Sequence, residues 1–298
     1  MKYYFYLVLA VLFWSGNFVL GRFVSADISA MELSFFRWFF VLMILSPYIF
    51  LNRKNIIFIF KQRPLLYILF GTLGISAYNT FIYFGLDYIS ATNALLINSS
   101  TPIFIIILSS FILKTKITKI QILGVLLSTI GVVYLIIKGD FESLLNLEFS
   151  RYDLWIILAC ISWALYSINL KFKPIEIRPL DFLSIIVFIG VIILFLVHIL
   201  FDFRFEYIFL NDEKIFYTLT YMAVFPSILS FYFWNLATVE VGANKAGQFA
   251  HLMPVFGSIL AYIFLNESLE PYHTVGIIFI ALGIYLSIFL KRVSHDNK

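Results

Sequence analysis

The chain has 298 residues, of which 62% are apolar and only 13% charged, with a net charge of +4. A soluble domain carries about a quarter charged residues, so this composition belongs to an integral membrane protein with little mass outside the bilayer. It leaves no room for a soluble catalytic domain, and the basic residues sit in short patches between apolar runs rather than in a nucleic-acid-binding face. The single cysteine, Cys160, allows no intrachain disulfide and no multi-cysteine metal site, and reads as a small buried hydrophobe.

A spanning helix needs about 20 mostly apolar residues. Ten such stretches appear in order, at roughly 3–22, 30–51, 64–85, 90–113, 119–138, 152–172, 180–201, 214–237, 242–265 and 272–291. Their length predicts helices, because a barrel strand would alternate over about ten residues. With the N-terminus in the cytoplasm, 15 Lys and Arg fall inside and 5 outside, with Arg37 within a span. That bias predicts both termini inside and an even number of spans. Val24-Ser25-Ala26 looks like a signal-peptidase site. Cleavage is not expected, because the first span has a counterpart later in the chain.

The fourth span, ATNALLINSSTPIFIIILSSFIL at Ala91–Leu113, carries a polar knot and Pro102 near its middle. The ninth, ANKAGQFAHLMPVFGSILAYIFL at Ala243–Leu265, repeats the pattern at an offset of 152 residues. At that offset Pro102 meets Pro254, Gly124 meets Gly276 and Gly131 meets Gly283. The first spans of the two halves echo as well, Trp14 in LFWSGNF with Trp163 in ISWALYS, without keeping that offset. Five spans separate each element from its partner, and an odd number turns the second copy upside down. Inverted repeats of this kind mark secondary transporters, with the site between the halves near the midplane. The expected organisation is a first repeat at 1–138, a linker at 139–151, a second repeat at 152–292 and a cytoplasmic tail at 293–298.

Several polar residues are candidates for that site. Arg37 lies about two turns into the second span. Such an arginine is a functional hypothesis by default and could hold a carboxylate; snorkelling or a structural bond to carbonyls is the alternative. Trp14 and Asn17 share a face of the first span, as do Trp163 and Tyr166 in the sixth. Asn79 and Tyr83 lie on a polar stripe of the third span, and Tyr232 decorates the eighth together with Trp234 and Asn235. Asn244, Gln248 and His251 fall on one stripe of the ninth. His251 could carry a proton near neutral pH, or bond across helices as a neutral imidazole. Proline removes a helix hydrogen bond and frees the carbonyl four residues back, here those of Asn98 and Ala250. Both breaks therefore read as cavity-lining, with Asn98 and Thr101 beside the first. A kink re-satisfied by Ser99, Ser100 and Thr101 is the alternative.

FWSGNFVLGR at 13–22 and FFRWFF around Arg37 resemble the opening of the drug/metabolite transporter superfamily, EamA type. So do the Ala-x-x-Ala and mid-span proline of spans four and nine, Asn266-Glu267, and Gly276 with Gly283. The resemblance covers nearly the whole chain. It implies an all-α, ten-helix fold of two inverted five-helix repeats around a central cavity. It also implies movement of small metabolites, often amino acids and commonly outward. The first repeat departs from the pattern, with Lys114-Thr115 where the second has Asn266-Glu267.

The reading is a secondary transporter in the inner membrane, moving an amino acid or similar amphipathic solute, with export expected. Import, exchange or drug efflux remains open. No Walker motif is present, so a proton gradient or solute exchange would supply the energy, with no cofactor and no metal. The expected partners are the solute and membrane lipid, not nucleic acid. An intramembrane enzyme would need a catalytic cluster at the membrane surface, and the spans offer none.

Overall fold

The computed structural model describes residues 1–24, 27–86, 88–89, 91–146, 150–201, 207, 211–265 and 268–290. The side chains of Phe18, Arg22, Ala30, Tyr83, Ala91, Thr92 and Leu265 lie outside that description. The described residues hold ten helices long and apolar enough to cross a membrane. They are α1 Lys2–Gly21, α2 Met31–Gln62, α3 Pro64–Leu86, α4 Asn93–Ile112, α5 Lys119–Ile136, α6 Asp153–Phe172, α7 Pro179–Leu200, α8 Glu213–Val241, α9 Ala243–Phe264 and α10 Pro271–Ile288. In lipid a helix satisfies its own backbone, which is why these runs of Ile, Leu and Phe fold this way.

Local signals set the ends. Pro64, Pro179 and Pro271 open α3, α7 and α10 at the first turn, where no N–H partner is needed. Thr118 and Gln121 close a capping box at α5. Asp140 caps the short helix Phe141–Leu145. The Ser143 hydroxyl and the Glu142 amide hold its carboxyl below the usual range. Gly242 turns the chain between α8 and α9 at φ +86°, a conformation that favours glycine.

The helices pack in matched pairs. α1 lies against α8 and α9, and α6 lies against α3 and α4. Each contact maps onto the other when five is added to or taken from the helix number. α2 against α7, α4 against α9 and α5 against α10 map onto themselves. In the last pair Gly124 faces Gly283 while Gly131 faces Gly276. The equivalent helices therefore run antiparallel, the register that an inverted duplication requires. A Cβ on Gly124 would sit 2.6 Å from the Gly283 carbonyl oxygen, and one on Gly131 2.8 Å from that of Gly276. The four glycines thus bring the two backbones into contact.

Two departures from regularity recur in both halves. α3 widens to a π-helix at Thr72–Ala77, and α8 does so at Ala223–Leu229. Ser76 Oγ donates to Gly71 O at 3.3 Å, and Ser227 Oγ to Met222 O at 2.8 Å, each five residues back. Widening presents carbonyls sideways. Ser162 on α6 donates to Leu73 O at 2.8 Å, and Trp14 on α1 donates to Pro226 O at 2.8 Å. The second departure is the proline break. α4 is interrupted by a turn at Ser99–Ser100, and α9 tightens to a 3-10 turn at Phe249–Leu252.

One boundary differs from the sequence expectation. The second helix runs on to Gln62 instead of stopping near residue 51. Nothing between Asn52 and Gln62 breaks a helix, and the extension is anchored. Asn55 Nδ2 donates to Asp181 Oδ2 at 2.9 Å, and Asn52 Oδ1 accepts from Arg178 Nη2 at 3.0 Å.

Candidate functional site

Tryptophans from three helices meet between the halves. Trp14 of α1 lies 5.2 Å from Trp163 of α6 and 5.1 Å from Trp234 of α8, ring centre to ring centre. Phe231, Tyr166 and Tyr78 pack around Trp163 at 5.5, 5.2 and 5.4 Å. Trp38 of α2 closes on Phe231 at 5.0 Å. The backbone makes room for this layer: a Cβ on Gly74, within the first π-helix, would stand 2.5 Å from the Tyr166 ring. The Tyr166 hydroxyl donates to Asn235 Oδ1 at 2.6 Å, which satisfies a fully buried phenol. Rings from both halves thus meet between them.

One turn along α1 from Trp14 stands Asn17, and there the polar part of the site begins. Arg37 reaches it from α2, only 9% exposed. Its Nη2 donates to Asn79 Oδ1 of α3 at 2.6 Å, and its Nη1 donates to Asn17 Oδ1 at 3.2 Å. The guanidinium carbon lies 5.2 Å from the Trp38 ring centre, a cation–π contact. Asn79 is itself fixed by donating to Ile75 O in the π-helix at 2.5 Å. Two amide oxygens thus sit where the two oxygens of a carboxylate would bind a guanidinium fork. Of the two sequence readings of Arg37, snorkelling is set aside: this side chain points into the bundle.

A second polar cluster forms where α4 and α9 cross. His251 is 1% exposed. Its Nε2 lies 3.1 Å from Ser99 O and its Nδ1 lies 2.7 Å from Ser128 Oγ of α5. A carbonyl only accepts, so Nε2 carries a proton and the neutral ring takes a hydrogen bond from Ser128. The freed carbonyls at the breaks are taken up locally. Thr101 Oγ1 donates to Asn98 O at 2.7 Å, and the Met253 amide donates to Ala250 O. At Pro102 and Pro254 these carbonyls are thus re-satisfied locally, the alternative that the sequence left open beside the cavity-lining reading. Cys160 Sγ lies 3.7 Å from Asn98 Oδ1, so Asn98 and Thr101 serve the α4–α6 contact. Ser15, next to Trp14, donates to Met253 O at 3.1 Å and links this cluster to the aromatic one.

Gln248 stands apart from both. It is 1% exposed, yet neither Oε1 nor Nε2 finds a partner among the described residues. Leaving such groups buried and unpaired costs about 1–3 kcal/mol each. Asn244, one turn earlier, donates to Thr115 Oγ1 at 3.4 Å and leaves its own Oδ1 unpaired.

Of the sequence candidates, Trp14, Asn17, Arg37, Asn79, Trp163 and Tyr166 come together. Asn98, Thr101 and His251 gather at the helix crossing. Tyr232 is half-buried and its ring packs on Phe233, one residue off the cluster. The side chain of Tyr83, and all of Glu267, lie outside the described residues. The sequence reading missed Trp38, Phe231 and Ser128, and placed Trp234 and Asn235 on the span without choosing them. Trp38 and Trp234 sat among so many aromatics that composition hid them. The π-helices that aim Asn79 and Trp234 leave no pattern of their own in a single sequence.

Comparison with known proteins adds a family. A family model described as the EamA-like transporter family matches residues 1–137 and again 150–289. The uncharacterized transporter YyaM of Bacillus subtilis is 29% identical over 239 residues, covering 80% of this chain and 77% of that one. The S-adenosylmethionine uptake transporter of Rickettsia felis is 30% identical over 168 residues, covering 56% of this chain and 54% of that one. A crystal structure of a protein with 15% sequence identity superposes with a TM-score of 0.78 over 96% of both chains, which speaks for the fold.

Proposed function

Because the chain belongs to the EamA-like transporters of the drug/metabolite transporter superfamily, a multi-pass membrane protein that moves a small solute and not an enzyme, we propose that it is a secondary active exporter of an amino acid or similar amphipathic carboxylate. One observation carries this reading: a guanidinium 9% exposed, gripping two amide oxygens beside a wall of four tryptophans. The solute's carboxylate displaces the amides of Asn17 and Asn79 from Arg37, and its apolar part lies on Trp14, Trp163 and Trp234. Asn17 and Asn79 then turn their N–H groups to the same carboxylate. Since rings of both halves touch where the solute would lie, binding requires the helices to part. That suits alternating access, in which the repeats rock about the α4–α9 crossing.

The proposed setting is the inner membrane with both termini in the cytoplasm, the halves running at 1–138 and 152–292. A proton gradient would drive transport through His251. Protonation there needs no movement of heavy atoms: Nδ1–H donates to Ser128 Oγ, whose hydroxyl donates to Gly124 O or Val125 O, each at 3.0 Å. An active His251→Gln protein is expected to lose its dependence on the pH gradient, and unchanged dependence removes the proton reading.

Uptake is the second reading, favoured by the name of the Rickettsia relative. A solute bearing a carboxylate and an aromatic base would use the same arginine and rings. Proteoliposomes loaded with labelled amino acids or S-adenosylmethionine, assayed in both directions under set pH gradients, distinguish the two. Failure of every carboxylate solute to move in either direction overturns the substrate class.

A further inference from the structure

Two open recesses lie on the outer flank of α2, away from the aromatic layer. One, of about 630 Å³, is lined by Leu42, Ser46, Pro47, Phe50, Arg53 and Phe188. The other, of about 400 Å³, is lined by Leu51, Asn52, Arg53, Lys54 and Asn55. They meet at Arg53, which lines both, the apolar recess on one side of it and the basic one on the other.

Their dimensions suit one kind of occupant. Leu42, Ser46, Phe50 and Arg53 follow i, i+4, i+8 and i+11, one stripe of a helix. At 1.5 Å per residue the stripe is about 16 Å long, close to the roughly 15 Å depth of one leaflet's hydrocarbon. The only polar group that Pro47 would expose there is capped, since Ser46 Oγ donates to the freed Met43 carbonyl at 2.7 Å. Phe50 and Phe188, 66% and 50% exposed, wall the groove. At its mouth Arg53 lies 4.6 Å over the Phe50 ring and donates to Phe50 O, leaving the rest of its guanidinium outward. Neither Arg53 nor Lys54 has an acidic partner among the described residues. The nearby carboxylate of Asp181 is fully buried and occupied by Tyr48, Asn55 and Arg178.

Among the described residues, the extension that carries these cations has no counterpart in the other half. α2 runs 32 residues where α7, its equivalent, runs 22. Asn52 and Asn55 bond to Arg178 and Asp181 at the start of α7, and Phe60 lies 6.3 Å from Tyr67 near the start of α3. The extension therefore lies level with the ends of its neighbours, at the face that the charge count assigns to the cytoplasm. Ile57 and Phe58, 51% and 63% exposed, are turned outward along it.

We propose that this groove is a binding site for one anionic phospholipid of the inner leaflet, its acyl chain lying along Leu42–Phe50 against Phe188 and its phosphate held by Arg53 and Lys54. The lipid would brace α2 against α7 on one side of the molecule only.

Native mass spectrometry of the full-length protein in detergent tests this with palmitoyl-oleoyl phosphatidylglycerol against the phosphatidylcholine of the same chains. The anionic lipid is expected to bind about 25-fold more tightly, about fivefold for each cation. The double variant R53Q/K54Q is expected to abolish that preference, and K116Q at another basic patch to keep it. S46F fills the groove with the charges intact, and is expected to abolish it too. Equal affinity for the two lipids in the wild-type protein, or a preference that survives in either groove variant, overturns the proposal. So does competition by soluble glycerophosphoglycerol at equal concentration, which would mean that the headgroup alone is recognised.

Discussion

Arg37 and Gln248 are both deeply buried polar side chains, and their surroundings predict opposite behaviour. Arg37 has its fork occupied by Asn17 and Asn79. Lysine carries the charge but not the two-pronged geometry, so Arg37→Lys is expected to insert normally and lose at least tenfold in transport rate. Wild-type transport in that variant refutes the carboxylate role. Gln248 has no protein partner at 1% exposure. Gln248→Met removes two unsatisfied groups while keeping volume, so it is expected to raise the melting temperature and reduce transport. A drop in melting temperature would mean that the amide already has a structural partner. The sequence offered both residues as candidates because polar groups are costly in lipid. It could not separate them, because the difference lies in what comes within 3.5 Å from other helices.

At the scale of elements, the proline breaks and the glycine pairs were legible because each is written twice at one offset. Their roles were less so. The sequence left two readings of the breaks open, carbonyls facing a cavity or carbonyls re-satisfied by neighbouring groups, and the bonds from Thr101 and the Met253 amide fit the second. Hydroxyl rotamers and 3-10 tightening are local choices that no residue pattern announces. The continuation of α2 to Gln62 was missed for a related reason: a polar Asn-Arg-Lys-Asn run reads as a loop until Arg178 and Asp181 are seen to bind it. The α5–α10 contact gives a direct test. Gly124→Val puts side-chain atoms against the Gly283 carbonyl, whereas a Cβ on Gly257 meets nothing within 4 Å, which makes Gly257→Val the control. The first is expected to lower stability by about 1–3 kcal/mol, seen as a lower melting temperature, and the second to leave it nearly unchanged. Equal effects would argue against close packing of α5 on α10.

For the whole molecule, ten helices and their number of crossings followed from run length and charge, the strongest signals that a membrane chain carries. The pairing of helices did not follow, because lipid-facing and partner-facing surfaces are equally apolar. Orientation is open to measurement. In a Cys160→Ser background, Lys116→Cys is expected to react with a membrane-impermeant maleimide only from the cytoplasmic side, and Lys138→Cys only from the other. Labelling of both from one side would contradict the proposed topology. One contact has a consequence for how the chain arose. His251 and Ser99 are hydrogen-bonded and stand 152 residues apart, the spacing of the repeat itself. Each is therefore the other's duplicate. A pair of identical five-helix ancestors facing one another would have presented the same residue twice at this point, serine to serine or histidine to histidine. The acceptor is a backbone carbonyl, which any residue at position 99 supplies, so one histidine is enough for this bond, and serine at 99 with histidine at 251 records that the two copies have diverged.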